Sequence, residues 1–122
     1  ESLVRTIRRR FPRITIVLNR AYSLLERVDG DVDVALGESV YATFDFAEKK
    51  YRLVDGESYR LQVSWLQTAK KRRPRLRVFT LDYWDPSDPA GISQIYREQR
   101  ANGFLPYVTT IDLTQVVAEP SL

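Results

Sequence analysis

Short apolar runs that end in polar residues recur along this chain. Ile14-Thr15-Ile16-Val17-Leu18 leads into Asn19-Arg20, and Val32-Asp33-Val34-Ala35-Leu36 leads into Gly37-Glu38-Ser39. Leu76-Arg77-Val78-Phe79-Thr80-Leu81 leads into Asp82-Tyr83-Trp84-Asp85. A fourth run, Phe104-Leu105-Pro106-Tyr107-Val108, carries Tyr107 near its end. Their length and β-branched content predict four strands. Between them the apolar spacing becomes helical. Residues 2–10 predict a helix with Ser2 as its cap and Leu3, Val4 and Ile7 on one face. Residues 21–28 place Leu24, Leu25 and Val28 inward, and Asp29-Gly30-Asp31 is a turn. Residues 57–72 carry Tyr59, Val63, Trp65 and Leu66 at helical spacing. Asp88-Pro89 caps a further helix with Ile92, Ile95 and Tyr96 inward, and Asn102-Gly103 stops it. A last helix is expected from Asp112-Leu113-Thr114-Gln115-Val116-Val117.

Strands alternating with helices, with polar groups at the strand carboxyl ends, predict an α/β fold in which parallel strands present their chemistry on one rim, as in a (β/α) barrel. A full barrel needs roughly 200 residues or more, and this chain has 122 and no Met. The expectation is therefore one partial domain over residues 1–122, the C-terminal half of a (β/α)8 barrel with about four βα units. Four strands leave two open sheet edges, which folded proteins pair or cover. Either the missing N-terminal half closes the barrel or two copies associate.

Composition narrows the chemistry. No apolar run approaches the roughly 20 residues of a membrane-spanning helix. There is no Cys, which removes disulfides and thiol nucleophiles, and no His, which removes imidazole bases and the commonest transition-metal ligand. Acid–base work at neutral pH falls to carboxylates, Lys or Tyr. No carboxylate cluster has ligand spacing, so neither a metal nor another cofactor is expected. Two basic groups stand out, Arg5, Arg8, Arg9, Arg10 and Arg13, and Lys70, Lys71, Arg72, Arg73, Arg75 and Arg77. They could bind a polyanion. Both, however, fall at helix carboxyl ends before Pro12 and Pro74, where cations complement the helix dipole. In a βα barrel that end lies opposite the functional rim, so nucleic acid is not the expected partner.

Glu38 is the leading candidate. It follows Gly37, which permits a tight backbone at the strand end. A partly desolvated carboxyl beside aromatic neighbours such as Tyr41 can have its pKa raised into the range of a general acid. The alternative is a solvated Glu or a helix cap. Asp82 could bond a sugar hydroxyl or substrate amine, and Tyr83 and Trp84 could stack on a pyranose. Alternatively, Trp84 is core, and Asp85 and Asp88 make a turn and a cap. The 39–56 connection is long for a βα loop. Its Tyr41, Phe44, Phe46 and Tyr51 could wall a saccharide cleft, or the segment could be a β-hairpin or extra helix.

Four segments taken together resemble one family: Asn19-Arg20-Ala21-Tyr22, Leu36-Gly37-Glu38-Ser39-Val40-Tyr41, Leu81-Asp82-Tyr83-Trp84-Asp85 and Gly103-Phe104-Leu105-Pro106-Tyr107-Val108. Their order and spacing, from about Phe11 to Val116, resemble the second half of glycoside hydrolase family 114, the endo-α-1,4-polygalactosaminidase barrels. The resemblance implies a βα barrel acting on a galactosamine-containing polysaccharide, outside the cell or in its envelope. It implies that Glu38 is one of two catalytic carboxylates, the other being an Asp on an earlier strand outside this chain. Asn19, Arg20, Tyr41, Asp82, Tyr83, Trp84 and Tyr107 are then expected to meet substrate. An acidic rim of Glu38, Asp45, Asp82 and Asp85 would suit a partly deacetylated, cationic polymer, although Arg20, Lys49, Lys50 and Arg52 dilute it. Asp82 could also supply the second carboxylate. A non-catalytic saccharide-binding or structural barrel module remains the alternative.

Overall fold

The computed structural model describes residues 2–121. Helix α1 (Ser2–Arg10) leads to strand β1 (Val17–Asn19), helix α2 (Tyr22–Val28) and strand β2 (Val34–Glu38). A hairpin of β3 (Ala42–Asp45) and β4 (Lys50–Leu53) follows. Helix α3 (Gly56–Arg72), strand β5 (Arg77–Tyr83), helix α4 (Pro89–Ala101) and strand β6 (Leu105–Thr109) complete the elements. The long 39–56 connection is thus a β-hairpin, one of the two structural readings its sequence allowed. Among the described residues no helix is long and apolar enough to cross a membrane.

The main sheet has the order β1-β2-β5-β6, all parallel. Each new parallel strand is added beside the last, without the reversal of order that marks a doubly wound sheet. That is how a barrel sheet progresses. The sheet here is open, with β1 and β6 at its edges. Pro106, which lacks a backbone N–H, is accommodated because β6 is an edge strand.

Pleating assigns each strand residue to a face. Ala35, Val78 and Val108 face the helices. There Leu25 and Val28 of α2 and Val63, Leu66 and Ala69 of α3 form one apolar cluster. Ile92, Ile95 and Tyr96 of α4 form a second with Ala42 and Val108. Val17, Leu36, Phe79, Leu81 and Tyr107 face the other way and line an open concavity of about 560 Å³. Helices therefore cover one face and leave the other an apolar trough.

Caps fix the helix ends as the sequence indicates. The Asp55 side chain accepts from Ser58 N at the start of α3, and Asp88 accepts from Gly91 N at the start of α4, with Pro89 at its first position. Gly103, at φ 85°, takes the left-handed conformation that ends α4. The basic runs close α1 and α3 and are engaged locally. Arg8 pairs with Asp33 at 2.6 Å, and Arg72 and Arg73 pair with the buried Asp29 at 2.8 and 3.3 Å.

Four expectations are corrected. Residues 112–121 form no helix. Leu113 sits at φ 55°, and Asp112 accepts from Thr110 Oγ1 and Thr114 N, a local turn that competes with helix. The segment instead runs back over the body, tied by Arg100–Glu119 and by Val117 N to Tyr107. Leu3 is exposed and Val4 packs on the core instead. Ser2 lies inside α1. The strand ends extend one or two residues further than the apolar runs, so that Glu38 and Tyr83 are themselves the last residues of β2 and β5.

Gly37 serves space rather than backbone freedom. A Cβ there would meet Val40 Cγ2 at 2.7 Å and Leu66 Cδ1 at 2.9 Å. Gly37→Ala should therefore lower stability by about 1–3 kcal/mol, as overpacking does. Urea unfolding should show the loss as an earlier midpoint with an unchanged slope.

Candidate active site

Three parallel strands bring one residue each to a common point at their carboxyl ends. Asn19 ends β1, Glu38 ends β2 and Tyr83 ends β5. Asn19 Nδ2 donates to Glu38 Oε2 at 2.8 Å, and Tyr83 OH donates to Glu38 Oε1 at 2.5 Å. Each carboxylate oxygen thus has its own donor. By strand alternation Glu38 shares the face of Leu36, at the end of the apolar trough.

These bonds reverse the expected electrostatics. The hydrogen bonds from Asn19 and Tyr83, with the positive field of Arg20, hold the Glu38 carboxyl below its ordinary value, outweighing partial burial. Glu38 is therefore ionised at neutral pH and is set up as a base, nucleophile or charge stabiliser. The expected elevation does not occur, because donors outweigh desolvation here. The Tyr83 phenol is pushed up by burial and by its bond to Glu38, so it remains a proton donor.

Asp82, next to Tyr83 on β5, points to the opposite face and is fully buried. Its Oδ1 accepts from Tyr41 N at 2.8 Å and Ala42 N at 3.0 Å, and its Oδ2 accepts from Gln99 Nε2 at 2.6 Å. Asp82 thus cannot touch a sugar and is neither a rim acid nor a second carboxylate facing Glu38. It ties down the chain that leaves Glu38. Burial raises its pKa against the bonds that favour its charge. Gln99, itself fully buried, was not singled out in the sequence. Its place at helical spacing beside Ile92, Ile95 and Tyr96 on the inward face of α4 was the available signal.

The other candidates divide. Arg20 stands at φ 60° beside Glu38 and acts on it through charge. Tyr83 contributes its hydroxyl, but its ring is buried and unavailable for stacking on a pyranose. Tyr41 sits edge-on to Tyr59 with centroids 5.2 Å apart and packs against the α4 cluster, away from Glu38. Trp84 packs on that cluster as well, donates from Nε1 to Asp88 and neighbours Tyr51 of the hairpin. Phe44 meets Phe46 and Tyr51 edge-on, with centroids 5.1 and 5.0 Å apart, while Phe46 stays largely exposed. Asp85 is occupied by Ser87 in a turn. Tyr107 lines the trough, and its hydroxyl accepts from Val117 N.

No family model matches the chain, and no curated protein matches it. Among solved structures, the glycoside hydrolase domain of PelA from Pseudomonas aeruginosa is similar, with a TM-score of 0.83 at 21% identity. The match covers 97% of this chain and 46% of that one. A glutamate-to-alanine variant of the same domain matches with a TM-score of 0.83 at 20% identity and the same coverage. The neighbours are glycoside hydrolase domains, consistent with the family resemblance of the sequence motifs. The chain shares the fold of part of such a domain and spans about half its length.

Two predictions test this geometry. Asp82→Ala strands two backbone N–H groups and Gln99, and should cost about 3–5 kcal/mol, the scale of a broken buried charge network. Asp82→Asn keeps an oxygen acceptor and should cost less, and thermal unfolding ranks the two. Tyr83→Phe removes one donor, so the Glu38 pKa should rise toward its ordinary 4.5. With its folded pKa lowered, Glu38 contributes stability above that ordinary value that is lost as pH falls through the folded one. In Tyr83→Phe that contribution should be smaller and fully lost at a higher pH than in wild type, so the midpoint of acid unfolding followed by fluorescence should move to higher pH.

Proposed function

We propose that this chain is part of a carboxylate-dependent glycoside hydrolase acting on a galactosamine-containing polysaccharide, with Glu38 as one of two catalytic carboxylates. The observation that carries this reading is the ionised Glu38, held at the carboxyl-end rim by donors from both neighbouring strands. A glycosidase places two carboxyl groups across the scissile bond. In the low-pKa role Glu38 is the nucleophile or base, and its partner is the protonated acid. The partner acid comes from outside this chain, on earlier strands of a barrel that the sheet here half completes. The apolar trough supports that placement, since an open apolar sheet face is normally covered. Without the companion half the fragment is inactive, and the parent acts outside the cell or in its envelope.

A second reading, a non-catalytic saccharide-binding module, is favoured by one observation. Asp82, the nearest candidate partner acid, is sealed on the far face of the sheet. The two readings separate on the full-length parent with partly de-N-acetylated α-1,4-galactosaminan as substrate. Glu38→Gln should cut turnover by at least the 10²–10⁴-fold assigned to a positioned acid or base, while polysaccharide binding persists. Unchanged turnover would remove Glu38 from the chemistry, and binding without turnover in the parent would leave the binding module.

A further inference from the structure

A second cleft, of about 450 Å³, opens at the carboxyl-end rim between the β1–α2 turn, the foot of the hairpin and the first turns of α3. It adjoins the Glu38 site, because two of its wall residues, Arg20 and Ser39, directly follow Asn19 and Glu38. Arg52 and Gln62 line it further out, and Trp65 and Leu61 give it an apolar wall along α3. Leu61 is 48% and Trp65 43% exposed. The indole is nevertheless held in place, because Tyr22 stacks on it with centroids 5.1 Å apart and planes 30° apart. An exposed, immobilised indole beside hydroxyl and amide groups suits the flat apolar face and polar edge of a sugar ring.

Arg20 gives the cleft its charge selectivity. Its backbone N–H donates to Leu36 O, but its side chain forms no hydrogen bond or ion pair among the described residues, and its field acts on Glu38 and Tyr22. Arg20 and Ala21 both adopt left-handed backbone, at φ 60° and 37°. Such conformations are strained in non-glycine residues and collect at functional sites. Arg52 is already committed to Asp45 at 3.2 Å, and Asp55, the acid in the cleft wall, caps α3. The guanidinium of Arg20 is thus the cation lining the cleft that has no ion-pair partner among the described residues.

We propose that this cleft is a saccharide subsite adjoining Glu38, in which Trp65 stacks the sugar and Arg20 selects an N-acetylated hexosamine over one with a free ammonium group. An acetamido carbonyl accepts a hydrogen bond from a guanidinium, whereas an ammonium group is repelled by it. The inference rests on the glycoside hydrolase reading and refines it. Arg20 selects which unit of a mixed polymer lies next to the reacting bond.

The test uses the full-length parent with two α-1,4-galactosamine oligomers of equal length, one fully N-acetylated and one fully de-N-acetylated. The ratio of their kcat/KM values is measured for wild type, Arg20→Gln and Arg20→Lys. Arg20→Gln should shift the ratio roughly tenfold toward the free-amine oligomer, the scale of one partly screened charge contact. Arg20→Lys should keep most of the wild-type ratio. Trp65→Ala should raise KM for both oligomers, and an unchanged KM would overturn the stacking role of Trp65. An unchanged ratio in Arg20→Gln overturns the subsite while leaving Glu38 catalysis standing. If the parent hydrolyses neither oligomer, the hydrolase reading falls, and calorimetric binding of both oligomers to wild type and Arg20→Gln decides the subsite. Equal affinity ratios overturn it then as well.

Discussion

Asp82 and Tyr83 are consecutive residues at the end of β5, and the pleat sends their side chains to opposite faces of the sheet. Tyr83 takes the Glu38 carboxylate on the open face. Asp82 takes the backbone of Tyr41 and Ala42 on the covered face. The end of β2 and the start of the hairpin are therefore gripped from both sides by one dipeptide. Ser39 turns between the two grips at φ 55°, a conformation that non-glycine residues adopt only when their surroundings fix it. Burying Asp82 carries a desolvation penalty of several kcal/mol. Three well-formed hydrogen bonds to the carboxylate, each contributing about 1.5–3 kcal/mol, offset that penalty. The site's geometry thus depends on a carboxyl group placed where substrate cannot reach.

The network continues past Asp82. Gln99 Oε1 accepts from Asn102, Asn102 also donates to Tyr59 OH, and Tyr59 OH donates to Glu98. The α4 and α3 helices are thereby linked to the strand that presents Tyr83. Burial and the neighbouring Glu98 push the Tyr59 phenol up to about 12, so it stays protonated and keeps donating. Polar groups, rather than apolar packing alone, set the register between these helices and the rim.

The fold was largely legible in the sequence, since strand runs and helical spacings are local signals that packing here reinforced. The caps at Asp88-Pro89 and Asn102-Gly103 worked because they act within one helical turn. The last segment failed because Leu113 adopts a left-handed turn that its residue type does not advertise. The site was legible in part. Glu38, Asn19 and Arg20 lie together as their strand-end positions implied. Asp82 and Tyr83 were both assigned to substrate, although period-2 alternation forbids neighbours on a strand from facing the same way. Tyr83 stands on the Glu38 face and Asp82 does not. The sign of the Glu38 pKa shift was not legible at all. It depends on which donors lie on adjacent strands, and register is a tertiary property.

The apolar trough bears on that sign. As an open face it leaves Glu38 partly wet, and its two donors prevail. Covering the trough would withdraw water from the carboxylate, and desolvation raises a carboxyl's pKa. A second carboxylate nearby would raise it further, since like charges resist joint ionisation. Asn19 and Tyr83 oppose both effects, and the positive field of Arg20 works with them. When two carboxyl groups share a site, the proton resides on the one with fewer donors to its charged form. In such a pair, a carboxylate with a donor on each oxygen and a cation beside it would be the member favoured to stay ionised.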